Sequence, residues 1–161
     1  MKKYISLFIS AFIALITSCN PSKMTFGNAD KWIPSDFNPS KTTLLIEKFT
    51  VSKKAQQQIE DYMSENYSYK YEFAPLSEIE NKSGKYADLK KYKFAIIYSS
   101  HTTHWTKQEG AATSGGLTVT GFDYNFIDRE IDKMYPPTKK SSSYAIMTFK
   151  PMINTIVKKF E

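Results

Sequence analysis

The chain has 161 residues, 22 Lys and Arg against 16 Asp and Glu for a net charge of +6, one cysteine, and 15% aromatic residues. One thiol excludes an internal disulfide framework, and an unpaired cysteine in a secreted protein needs an explanation. The lysines are scattered in pairs (Lys53-Lys54, Lys90-Lys91, Lys139-Lys140, Lys158-Lys159) and not massed on one stripe, which argues against a nucleic-acid partner.

The first element is an N-terminal leader. Lys2 and Lys3 form a positive start, Tyr4 to Ile16 a mostly apolar run, and Thr17-Ser18 the small residues that precede a cleavage point. The apolar run is shorter than the roughly 20 residues that a spanning helix requires. Cys19 follows directly in the string Leu15-Ile16-Thr17-Ser18-Cys19, and this pattern resembles the lipobox of bacterial lipoprotein precursors.

The resemblance implies cleavage between Ser18 and Cys19. It further implies a covalent diacylglycerol and N-acyl lipid on Cys19, and attachment to the cell envelope. Asn20 is not the aspartate associated with inner-membrane retention, so an outer-membrane position facing the periplasm is expected. Removing residues 1–18 leaves 143 residues, one domain's worth, and loss of Lys2 and Lys3 lowers the net charge from +6 to +4.

Residues 19–41 read as a lipid-anchored tether, with Pro21, Pro34 and Pro39 and no sustained period. Trp32, Ile33 and Phe37 predict that its second half packs back on the domain. Residues 42–161 read as one globular unit. Thr42 to Val51 predicts a strand, and Ser52 a helix cap. Ala55, Ile59, Tyr62 and Met63 recur at helical spacing. Tyr69, Tyr71 and Phe73 alternate as a strand that Pro75 ends. Short helical pieces are expected at Leu76–Glu80 and Tyr86–Lys91.

Phe94 to Tyr98 is an unbroken apolar run, the pattern of a central buried strand. Residues 100–116 read as a polar loop. Leu117 to Ile127 predicts a strand whose apolar phase slips at Gly121, suggesting a bulge. Asp132 to Ser143 reads as a connection, Tyr144–Phe149 as a last strand, and Pro151 as the start of a helix. The expected fold is α/β, tending to α+β: one mixed sheet of about five strands in the order βαβ(α)βββα.

Chemical leads are few. His101 and His104 are the only histidines. With Glu109 as the nearest carboxylate they form a candidate metal set, since two imidazoles three apart share one ion on a helical turn or a pliable loop. No Gly-x-Ser-x-Gly elbow or phosphate loop is present, so neither catalytic residues nor a bound cofactor is assigned. Asp123, Asp128, Glu130 and Asp132 read as solvated acids. His101, His104 and Trp105 mark an expected binding rim, because long loops often carry function.

The sequence thus favours a lipid-anchored, non-enzymatic binding or scaffold module for an envelope protein or glycan. The alternative is a hydrolase, metal-dependent or otherwise, using the His101/His104 loop.

Overall fold

The structure is a computed structural model of the chain and describes residues 28–105, 117–135 and 142–161; Ser18, Cys19 and Glu109 lie outside them. Its regular elements are β1 (Leu44–Glu47), α1 (Lys53–Asn66), β2 (Tyr71–Ala74), α2 (Leu76–Glu80), β3 (Phe94–Trp105), β4 (Leu117–Asp128), β5 (Lys133–Tyr135) and α3 (Ala145–Phe160). Short 3-10 turns occupy Ala29–Lys31 and Gly84–Tyr86. The five strands form one mixed sheet in the order β2-β1-β3-β4-β5. The first three are parallel, and the last two join antiparallel. The fold class is the expected one, and β3 stands at its centre.

Local chemistry sets the early elements. All four residues of β1 are buried, since both faces of this strand are covered. Ser52 then caps α1, its hydroxyl accepting from the Ala55 amide at 3.3 Å. The Gln56 amide oxygen reaches back to accept from Phe49 N at 2.6 Å, fixing the turn between strand and helix. Ile59 and Met63 bury the helix's apolar stripe. Pro75 closes β2 and caps α2 without a side-chain bond.

One sheet face carries the main core. Leu44, Ile46, Phe94, Ile96, Phe122, Tyr124 and Phe126 meet α1 and α3 there. Trp32, Ile33 and Phe37 join this core, as their apolar character foretold. The Phe37 ring stands edge-on to Phe94, Phe126 and Phe160 with centroids at 5.2, 4.9 and 5.5 Å. The opposite face buries Leu45, Ala95 and Ile97 beneath Ile79, Tyr86 and Tyr92, all from the segment between β2 and β3.

Several sequence expectations are corrected. Residues 100–105 are not loop but the second half of β3, paired residue for residue with β4 out to Trp105 and Leu117. Gly121 sits opposite His101 in that unbroken register, so there is no bulge. Tyr144–Phe149 is not a strand: Ala145, Thr148, Phe149, Met152, Ile153 and Ile156 are buried at spacings of three and four, so the helical period wins.

Pro151 lies inside α3 and not at its start. A proline there removes one ladder bond at a cost of about 3 kcal/mol or more. The helix forms because the main core takes up its whole apolar stripe. The fifth strand is instead Lys133–Tyr135, short and hidden within the expected 132–143 connection. The expected Tyr86–Lys91 helix is a 3-10 turn followed by a bend in which Asp88 Oδ1 accepts from Lys90 and Lys91 amides at 3.0 and 3.4 Å.

Candidate functional site

The two sheet faces are unequally dressed, and the difference builds the candidate site. The segment from Pro75 to Tyr92 covers β2, β1 and the first half of β3 only. It is held by Arg129, 1% exposed at the end of β4. Its guanidinium donates from Nε to Ile79 O at 2.9 Å, from Nη1 to Tyr92 O at 2.5 Å, and from Nη2 to Tyr86 O at 2.9 Å. Burial lowers its pKa, because the charge has left water. The one side chain suited to forked recognition of a ligand is thus spent on backbone carbonyls.

Beyond that cover lies a cleft of about 290 Å³. Ile97 and Ile127 form its floor, Ile79 and Glu80 one wall, Lys133 and Met134 the other. Lys82 and Asp132 bridge the rim at 2.7 Å. Met134 is 55% exposed and Ile131, in the adjoining turn, 60% exposed. Apolar side chains this open at a mixed-charge rim suit a partner's side chain or a small apolar group.

Two buried polar groups sit on strands flanking Ile97. Glu47 ends β1, is 8% exposed, and accepts from Tyr98 N through Oε2 at 2.9 Å. Its carboxyl takes the place of the next strand residue and so closes that stretch of the β3 edge. Burial is the main cause that raises its pKa to about 7; the Tyr98 amide opposes the rise and the Glu80 charge adds to it. Asn125 lies opposite Ile97 on β4. Its side chain is buried, donates a long contact of 3.5 Å to Ser99 Oγ, and leaves Oδ1 without a partner among the described residues.

The predicted histidine site is differently arranged. His101 is exposed on β3, with Nδ1 3.2 Å from Asp123 Oδ2. His104 lies opposite Thr118 and Trp105 opposite Leu117, in the same hairpin. A strand, and not the helical turn or pliable loop expected, carries both histidines, and the side chain of His104 lies outside what the structure describes. Among the described residues no group of three His, Cys, Asp or Glu has metal-site geometry. The other acids are also placed. Asp128 accepts from Glu130 and Ile131 amides at 2.9 and 3.4 Å, and Lys93 binds Asp36, Glu130 and Asp128 at 2.8, 2.6 and 3.5 Å.

Sequence reasoning missed the cleft, Glu47 and Asn125. Period-two alternation assigns Glu47 a place on a strand, but not the cover that buries it. The pairing of His101 with Asp123 needed the register of the hairpin, which the loop reading had hidden.

No protein-family model matches the chain, and no curated protein matches it. Among solved structures it is similar to a neuraminyllactose-binding hemagglutinin homolog from Helicobacter pylori, at 7% identity and a TM-score of 0.38, over 75% of this chain and 86% of that one. It is also similar to the PelC dodecamer from Paraburkholderia phytofirmans, at 10% identity and a TM-score of 0.32, over 77% of this chain and 86% of that one. Similarity at this level carries no reading of function.

Proposed function

We propose that the chain is a binding module of a bacterial cell envelope, held to the membrane by lipid on Cys19 and engaging an envelope protein or glycan. The observation that supports it is the half-open sheet face, with its apolar-floored cleft and charged rim between α2 and the β4–β5 turn. A surface of this kind recognises by shape and by a few polar contacts, and it needs no reacting group.

Photo-crosslinking in intact cells from a probe at Met134 tests the reading. It should capture one defined partner. Placing Lys at Ile127, on the floor of the cleft, should abolish that capture while the circular dichroism spectrum stays unchanged. A probe that captures nothing, or captures equally well after the Ile127→Lys change, would remove the support.

A hydrolytic reading retains one observation in its favour: the imidazole of His101 is oriented by a carboxylate at 3.2 Å, as a general base requires. Its test is a panel of ester, amide and glycoside substrates with the His101→Gln chain as control. Turnover that survives the substitution is not this site's.

A further inference from the structure

The β3–β4 hairpin outruns the rest of the sheet. β1 pairs with β3 only at Ala95 and Ile96, while β4 accompanies β3 to Trp105. Past Tyr98 the hairpin is flanked on the β1 side by no described strand; on its other side Phe122, opposite Ser100, bridges to Ser142, and beyond that bridge it is a two-stranded ribbon among the described residues. A two-stranded ribbon alone is marginally stable in water.

The backbone direction of this edge follows from parity. Tyr98 N points away from β4, because it donates to Glu47 Oε2. Peptide groups alternate sides along an antiparallel strand, so Ser100, Thr102 and His104 also present their N–H and C=O groups to that edge. None of these six groups has a backbone partner among the described residues. Glu47 closes the edge below Ser100.

The edge also lacks the usual protection. Residues 99–105 contain no lysine, acid or proline, in a chain that is 24% charged. Ser99 to Thr103 are all exposed. Natural edges are ordinarily blunted by just those residues, and an unblunted edge is a template for pairing.

We propose that this edge is a self-association surface, on which a second copy of the chain adds its own β3 antiparallel across a two-fold axis centred on Thr102. Thr102 pairs with its own counterpart and Ser100 with His104 of the other copy, giving six backbone hydrogen bonds and a continuous sheet of ten strands. An isologous contact of this type is the commonest way for two identical chains to meet. Self-pairing brings no like charges together here, and Thr opposite Thr is a favourable cross-strand pair. The ribbon becomes four-stranded, which removes its instability. The contact is small beside the roughly 1,200 Å² of a stable interface, so the dimer is reversible and dependent on concentration.

The test uses the full chain with Cys19 replaced by Ser, followed by sedimentation equilibrium and mild oxidation. Thr102→Pro removes one outward N–H from each copy and leaves the bonds to β4 in place. It should weaken dimerisation about 30-fold, the loss of two hydrogen bonds. Thr102→Lys, which sets two charges face to face, should abolish it. Thr102→Cys should oxidise to a linked dimer faster than Gln58→Cys on the exposed side of α1, since paired Cα atoms stand about 5.5 Å apart, within disulfide reach. A parent that is monomeric at the highest attainable concentration overturns the proposal. So does a Thr102→Lys chain that associates as the parent does, or equal oxidation at the two cysteines.

Discussion

Glu47 shows what one residue can do at the end of a strand. Its carboxyl substitutes for a missing backbone carbonyl, in a place where burial raises its pKa to about 7. The unfolded chain titrates the same group near 4.5. A pKa raised on folding contributes stability that is fully present below about pH 4.5 and is lost as pH rises through 7. Urea unfolding should therefore show stability falling between pH 5 and pH 8, by on the order of 3 kcal/mol for this group. Glu47→Gln keeps an acceptor for Tyr98 N and should flatten that part of the profile. An unchanged slope in the variant would remove Glu47 as its source. The sequence could not reveal this residue, because its burial and its contact with Tyr98 come from elements distant in the chain.

At the scale of elements, Arg129 ties a whole segment to the sheet. Three carbonyls that end turns or α2 lie beneath its guanidinium, and truncating the side chain would leave them buried and unpaired. Arg129→Met should cost about 3 kcal/mol or more, read as a lower urea midpoint, and should raise hydrogen exchange first in residues 76–92. Elements were legible in the sequence where one period ran undisturbed. Ser52 and the Ile59, Met63 stripe gave α1, and the run Phe94–Tyr98 gave the core of β3. They were illegible where two signals competed. In Tyr144–Phe149 a short alternation and an interior proline outweighed a sixteen-residue helical stripe. In residues 99–105 polar side chains concealed a strand whose pairing partner is the stretch Leu117 to Asp123, beyond the turn of the hairpin.

For the whole molecule, one side of the sheet is a complete core and the other is half a core beside a cleft. The proposed anchorage would present that cleft from the membrane surface. Cys19→Ala should leave an unprocessed or soluble chain, read by mass and by membrane fractionation. A variant still processed and still sedimenting with membranes would sink the lipid reading. Among the described residues no helix is long and apolar enough to cross a bilayer.

The burial of Trp32, Ile33 and Phe37 has a mechanical side. Any tension that reaches residue 28 is passed through Trp32 and Ile33 to the ring cluster around Phe37, which joins β3, β4 and the end of α3. Lys159 grips Asp30 at 2.7 Å beside it, so the last turn of α3 shares the load with the turn at Ala29–Lys31. A pull from the leading end would thus test the middle of the sheet before it could peel away any edge.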